Sequence, residues 1–202
     1  EGYAESYGIS VRDLTVSGGS VNATGGSATG SFAVSCGIDV TNGLTISGGT
    51  VNADGGTASA ADGSDGEASS GGILAAIIAI SSSTVTAEGG TASADSEAYS
   101  RGFYAAGITI SGGEVTATGG SASADSEAYS NGIDALRITV APAEREQITV
   151  TVGAYESSAA EITGSPFQEE TEIVDLASAA GVAYFKSAAE PARYSVTLHP
   201  NG

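Results

Sequence analysis

Aliphatic residues recur in a regular pattern along the first two thirds of the chain. Between residues 8 and 140, units of about 30 residues follow roughly the order G-I-x4-L-T-I-S-G-G-T-V-x-A-x-G-G. Apolar and polar residues alternate within each unit, and this period of two is typical of short strands that bury one face. The aligned apolar columns are Leu14, Leu44, Ile78, Ile108 and Ile138; Val16, Ile46, Ile80, Ile110 and Val140; Val21, Val51, Val85 and Val115; and Ala23, Ala53, Ala87 and Ala117.

Glycine pairs divide each unit into strands. Gly18-Gly19, Gly48-Gly49 and Gly112-Gly113 lie between the two strands of a unit, and Ser82-Ser83 replaces the pair once. Glycine tolerates the positive φ angles that tight corners require. A second glycine pair closes the next strand, and the Gly-Ile segment supplies a third, so three strands and three corners are predicted per unit.

This repeat predicts an all-β fold, a parallel β-solenoid of about five coils. Coils that stack at the strand spacing of about 4.8 Å must match their neighbours, which explains why like residues recur in columns. An alternative is a propeller or sandwich of antiparallel hairpins, in which "ISGGTV" is a two-residue hairpin. Hairpins do not explain columns that stay aligned over four or five units.

The pattern fades after residue 140. The segments "ITVTVGAY" at 148–155 and "GVAYFK" at 181–186 predict strands, with a polar, acidic segment between them. Because an open solenoid end invites edge pairing, we expect a cap. The predicted organisation is β-helix repeats at 1–140, a C-terminal cap at 141–190 and a linker or the start of a following repeat at 191–202.

The composition restricts the partners. The net charge is −18, from 24 acidic and 6 basic residues. Nucleic acids and anionic membranes need clustered Lys and Arg, whereas an acidic surface suits divalent cations and neutral ligands. No apolar run approaches the ~18 residues of a spanning helix, so membrane insertion is not expected. Cys36, the single cysteine, is predicted to be a reduced, inert thiol.

The units "GLTISGGTVNADGG" and "GITISGGEVTATGG" resemble those of a family of secreted bacterial β-helix proteins. These are the carbohydrate-binding-domain proteins of gut and cellulolytic Clostridia, which are similar in shape to pectate lyases. The resemblance covers about residues 8–140. It implies a right-handed parallel β-helix, calcium use in some members and contact with polysaccharide, although a fold by itself does not imply a function.

A second resemblance lies at the end of the chain. "YSVTLHPNG" at 194–202 is similar to the opening of the Listeria–Bacteroides (internalin B-type) repeat of bacterial surface proteins. It implies a modular extracellular or cell-surface protein with neighbouring domains. His199 falls within this stretch and is interpreted as a linker residue.

An acidic ridge follows the third strand of the later units. Its first members are Asp62, Asp65 and Glu67, and the next two pairs repeat in register: Asp95 with Glu97, and Asp125 with Glu127. Stacked carboxylates about 5 Å apart repel, and a Ca²⁺ between them would relieve the repulsion. The alternative is a solvated loop without an ion, so the sequence leaves both a calcium site and a plain acidic face open.

Tyr99 and Tyr129 also fall in register and form a candidate carbohydrate-binding ladder. The alternative is a stacked pair that stiffens the ridge. The threonine column Thr15, Thr45, Thr109 and Thr139 is similar to flat ice-binding faces, but Ala79 interrupts it, and a solvated strand face is the preferred interpretation.

Catalysis is not expected. A lyase needs a basic residue that abstracts a proton beside a metal, and Arg12, Arg101 and Arg137 occupy different columns and coils. The sequence therefore favours a non-catalytic module of a bacterial cell-surface or secreted protein that acts in adhesion or carbohydrate binding, with glycans or cell-surface polysaccharide as partners. A calcium-dependent polysaccharide lyase and a structural stalk without a ligand remain the alternatives.

Overall fold

The fold was taken from a computed structural model, which describes residues 2–60 and 66–140 and three later strands, Ile148–Val152, Glu172–Val174 and Phe185–Ala188. The described residues form fifteen strands and no helix. The first twelve strands wind as a β-solenoid, with four complete coils and the beginning of a fifth. The predicted all-β solenoid of about five coils is thereby confirmed.

Each coil has three walls, and each wall is a stack of parallel strands. Wall A stacks β1 (Tyr3–Val11), β4 (Phe32–Asp54), β6 (Glu67–Ile80), β9 (Glu97–Ile110) and β12 (Glu127–Val140). Wall B stacks the ends of β2 (Leu14–Thr24) and β4 with β7 (Ser83–Glu88), β10 (Gly113–Thr118) and β13 (Ile148–Val152). Wall C stacks β3 (Ser27–Gly30), β5 (Thr57–Ala60), β8 (Thr91–Ala94) and β11 (Ser121–Ala124).

The predicted columns are columns of paired residues. Ile46 pairs with Ile80 and Ile80 with Ile110, and all three side chains are buried. Strand β4 runs through both 44–46 and 50–54, and each half pairs in parallel with a neighbouring coil. The hairpin alternative is therefore wrong.

The corners between walls A and B have the positive φ angles expected from the glycine pairs. Gly19, Gly49 and Gly113 have φ angles of 80°, 85° and 95°. In the third coil the positive φ falls one position earlier, at Ser82 (48°), since Ser83 is the residue that pairs with Gly113. The corner is therefore kept without glycine, but Ser82 has a backbone conformation that L-residues rarely adopt.

Two compartments lie inside the coil. The large compartment, between walls A and B, holds stacked Ile, Val and Leu side chains together with Phe103. The small compartment, between wall C and the beginning of wall A, holds alanine alone, including Ala33, Ala58 and Ala68. Wall C was not predicted, because its four-residue strands have no apolar residue larger than alanine.

A seam separates the two compartments. At Gly72, an added Cβ would lie 2.6–2.8 Å from backbone atoms of Glu88, Ala53 and Gly102, so the walls meet there too closely for any side chain. The seam also contains a ladder of inward serines, one in each coil: Ser6, Ser35, Ser70, Ser100 and Ser130. Ser35, Ser70 and Ser100 are fully buried.

Each serine of the ladder joins two coils. The Ser70 hydroxyl donates to the carbonyl of Gly56 in the preceding coil (2.8 Å) and accepts from the amide of Gly90 in its own coil (3.0 Å). The same pair of bonds recurs at Ser35 and Ser100. The ladder satisfies backbone groups at the glycine corners, where strand pairing alone leaves them open.

Three strands from the C-terminal segment lie against the last coil. The predicted strand at 148–155 overlaps β13, and that at 181–186 overlaps β15 (Phe185–Ala188). A third, β14 (Glu172–Val174), was not predicted, and β14 and β15 pair antiparallel to β12 and β13. These pairings occupy strand edges of the solenoid, as a cap would; residues 191–202, including His199, lie outside the described residues.

Candidate functional site

The acidic ridge has the register that its sequence predicts. Glu127 pairs with Glu97, which in turn pairs with Glu67. The wall C strands before Asp95 and Asp125 and the wall A strands after them pair in the same register, so these two aspartates also lie in register. Two of the carboxylates are engaged by tyrosines: Tyr129 donates to Glu127 at 2.6 Å, and Tyr99 donates to Glu97. Asp62 and Asp65 lie outside the described residues.

The calcium site at Asp95, Glu97, Asp125 and Glu127 stays a prediction. Within residues 2–60 and 66–140, no group of three or more His, Cys, Asp or Glu side chains is arranged to hold a metal ion. An ion at the ridge would compete with the tyrosine hydroxyls for the Glu97 and Glu127 oxygens. The Tyr99 and Tyr129 hydroxyls therefore give Glu97 and Glu127 hydrogen-bond donors in place of a cation.

Tyr99 and Tyr129 stack on each other. Their ring centroids are 5.4 Å apart and their planes differ by 9°. The Arg101 guanidinium carbon lies 4.1 Å from the Tyr99 centroid, and burial, together with the hydrogen bond to Glu97, raises the pKa of the Tyr99 hydroxyl. Much of the Tyr99 ring is thus covered by protein, an arrangement that favours the stiffening role over the sugar platform.

Arg101 links the ridge to a groove on the outer face of wall A. Its Nε lies 2.7 Å from the Asp134 carboxylate, its Nη1 donates to the Ser69 hydroxyl, and its guanidinium also lies over the Tyr104 ring at 4.8 Å. Together with the contact to the Tyr99 ring, these three contacts leave the arginine side chain 12% exposed. Arg101 therefore holds Tyr104 and Asp134 in place from the side.

The groove itself encloses about 540 Å³. Its small apolar residues are Ala75, Ala76, Ala105, Ala106 and Ala135. The larger residues along it are Asp39, Val40, Thr41, Leu74, Arg101, Tyr104, Asp134 and Leu136. It is thus an open trough that runs across several coils, with few polar groups on a mainly apolar lining, which is the usual make-up of a ligand site.

Four of these residues form one outward column. Asp39 pairs with Leu74, Leu74 with Tyr104 and Tyr104 with Asp134, so the column has a carboxylate at each end and apolar residues between. The Tyr104 ring is 47% exposed. The Asp39 carboxylate accepts a hydrogen bond from Ser10 at 3.1 Å, and partial burial raises its pKa.

A break in the strand alternation brings Arg101 and Tyr104 to the same face. Residues three apart on a regular strand point to opposite faces, but Gly102 and Phe103 are both buried, so the alternation shifts by one residue between them. The same shift occurs at Gly37 and Ile38 and places Asp39 outside. The Gly-Ile pair of each unit was a sequence signal for this shift, and the groove was missed because the pair was interpreted as ordinary strand.

The other candidate residues lie apart from the groove or are buried. Arg12 pairs with exposed Asp13, and Arg137 lies in the Gly107 column rather than that of Arg101, so the register keeps the three arginines in different columns. Cys36 is fully buried, its thiol donates to the Ile38 carbonyl, and burial raises its pKa to about 12. A thiol of this kind is protonated and unreactive at neutral pH.

Comparisons with known proteins agree with this architecture. A family model described as a beta helix repeat matches residues 14–33, 78–107 and 108–133. Comparison of the chain with curated proteins and with solved structures found no match. In the part of the chain that the structure describes, no helix has the length and apolar character needed to cross a membrane. The strand register and the matched repeats together identify the chain as a parallel β-helix protein.

Proposed function

We propose that this chain is a non-catalytic glycan-binding module of a bacterial cell-surface or secreted protein, and that the wall A groove holds the glycan. The observation that carries the proposal is the exposed Tyr104 ring, which Arg101 fixes beside an alanine floor between two carboxylates. An aromatic ring offers an apolar face to a sugar, and the carboxylates of Asp39 and Asp134 can accept hydrogen bonds from its hydroxyl groups. The resemblance to clostridial carbohydrate-binding proteins and to surface-protein repeats supports the same class of partner.

The contacts of Arg101, the one arginine among the described residues that line the groove, support a binding role over a lyase. A guanidinium remains protonated in proteins and is a poor proton acceptor. Arg101 is, moreover, engaged by Asp134, Ser69 and two aromatic rings. The side chains that line the described groove include no His or Lys that could serve instead as the base.

A glycan array tests the proposal, run with calcium and with EDTA. We expect binding of particular oligosaccharides by the wild-type chain and a loss of at least about tenfold in affinity for Tyr104→Ala. Tyr3→Ala is the matched control, because Tyr3 is also exposed (66%) and lies outside the groove. Binding that needs calcium would favour an ion at the Asp95–Glu127 ridge, whereas binding in EDTA would separate the groove from that ridge.

Other outcomes favour the alternative functions. Cleavage of a bound polysaccharide, seen as a shortening of the chains, would favour the lyase. If no glycan binds, or if Tyr104→Ala binds as well as the wild type, the groove is not the site, and the stalk becomes the better hypothesis.

A further inference from the structure

The two carboxylates at the ends of the groove differ in their charge environment. Asp134 lies 2.7 Å from the Arg101 guanidinium, which neutralises it. Asp39 takes part in neither of the ion pairs that the described residues form, Arg12 with Asp13 and Arg101 with Asp134. Its hydrogen-bond partner is the uncharged Ser10 hydroxyl. The groove is therefore negative at its Asp39 end and close to neutral at its Asp134 end.

The Asp39 carboxylate is held in an unfavourable position. Burial and the charge of Glu5 on β1 raise its pKa, and Tyr7 on the same strand brings no positive charge. A carboxylate kept half-buried without a cation lowers the stability of the folded chain. Such a group is a common mark of a ligand site, where the missing partner arrives with the ligand.

The distance between Asp39 and Tyr104 along the stack determines what kind of ligand can contact both residues. Asp39 and Tyr104 lie in the same column with Leu74 between them, so they are two strand spacings, about 10 Å, apart. A sugar ring stacked on Tyr104 does not extend that far, but the next units of an oligosaccharide do. Asp39 would then contact a substituent of a neighbouring sugar unit.

We propose that the Asp39 end of the groove is a subsite for a protonated amino group, so that the module prefers glycans that contain an unacetylated amino sugar. The inference rests on the proposed function, since it assumes that the groove holds a glycan. A cationic substituent would neutralise Asp39 in a partly desolvated place, where a charge-assisted hydrogen bond is stronger than in water. The net charge of −18 would favour the same cationic glycan and disfavour an acidic one.

The test is a pair of calorimetric titrations, one with a glucosamine tetramer and one with the same tetramer fully N-acetylated. We expect the wild-type chain to bind the amine form at least tenfold more tightly at low salt, and the preference to shrink as salt is added. In Asp39→Asn, which preserves the shape and an acceptor for Ser10, the two tetramers should bind equally. Asp54→Asn is the matched control: it removes the same charge from the same strand, β4, outside the groove, and should keep the preference.

The possible failures are distinguishable. Equal binding of both tetramers by the wild type overturns the amine subsite and leaves the glycan groove standing. Binding of neither tetramer, nor of any glycan on the array, overturns the proposed function and this inference with it. A preference that survives in Asp39→Asn, with the variant shown to be folded by circular dichroism, would assign the amine to another carboxylate and overturn the subsite at Asp39.

Discussion

The two compartments of the coil are stabilised in different ways. The large compartment stacks fully buried side chains such as Ile46, Ile80 and Phe103. The small compartment buries alanine methyl groups, as at Ala58 and Ala68, behind strands of four residues. Because burial stabilises by roughly 0.8 kcal/mol for each CH₂ group, an Ile column contributes several times more than an Ala column of equal length.

The small compartment therefore depends more on hydrogen bonds than the large one does. Wall C is paired strand to strand, and the serine ladder along its border joins each glycine corner to the next coil. Hydrogen bonds contribute less net free energy than large apolar side chains, but they tolerate little change in geometry. We expect the large compartment to fail when it is made polar, and the small one when it is filled or when its ladder is cut.

A charge in the large compartment should have the largest effect. Ile80→Asp puts an unpaired carboxylate into a fully buried position, at a cost of several kcal/mol, enough to unfold a marginally stable domain. Ile77→Asp is the control, because Ile77 lies on the same strand but is 53% exposed. Circular dichroism melts should show Ile80→Asp unfolded and Ile77→Asp near the wild type; a folded Ile80→Asp would contradict the hydrophobic account of this compartment.

Overfilling the small compartment should have the next largest effect. Ala58→Leu adds three carbon atoms at a fully buried position of wall C, and such overpacking costs roughly 1–3 kcal/mol. Ser59→Leu adds a comparable bulk to the outward side of the same strand and should melt close to the wild type. Equal melting temperatures for the two variants would mean that wall C can move outward, and that the alanine compartment is adjustable in width.

Cutting one rung of the serine ladder should cost less than overfilling. Ser70→Ala removes the acceptor of the Gly90 amide, while the Gly56 carbonyl keeps its bond from the Thr91 amide. One unsatisfied amide costs about 1–2 kcal/mol. Ser93→Ala, on the exposed face of wall C, is the control, and denaturant titration measures the difference. Indistinguishable titrations would show that water replaces the serine hydroxyl at the seam.

The sequence predicted the large compartment better than the small one, for a physical reason. Aliphatic residues alternate with polar ones along walls A and B, so the period of two shows which residues are buried. In wall C, Thr91-Ala92-Ser93-Ala94 alternates too, but alanine is compatible with any element, and these strands contain no larger apolar side chain. Only the stacking of whole coils makes these alanines a core.

The candidate site, too, was predicted only in part from the sequence. The register of Tyr99 with Tyr129 followed directly from the repeat, as did that of Glu97 with Glu127. The groove at Asp39 and Tyr104 depends on the shift in alternation at the Gly-Ile pair, which a regular strand pattern does not include. Arg101 was correctly separated from the other arginines, but its contacts with two rings come from packing between columns.

The smallest predicted effect, with the opposite sign, concerns the corner that encloses the large compartment. Ser82 has φ of 48°, while the glycines at the corresponding corners of the other coils have positive φ without a side chain. Ser82→Gly should therefore stabilise the chain by at most about 1 kcal/mol, since glycine adopts this conformation without strain but gains freedom when unfolded. Gly113→Ser is the companion variant at the positive-φ residue of the next corner, where Gly113 pairs with Ser83. It should destabilise by more, because an added Cβ would clash with the Ser83 carbonyl oxygen. Melting temperatures of both variants measure the difference: a Ser82→Gly chain that melts clearly below the wild type would show that the serine side chain stabilises the corner, and that the third coil closes by a contact rather than by backbone conformation alone.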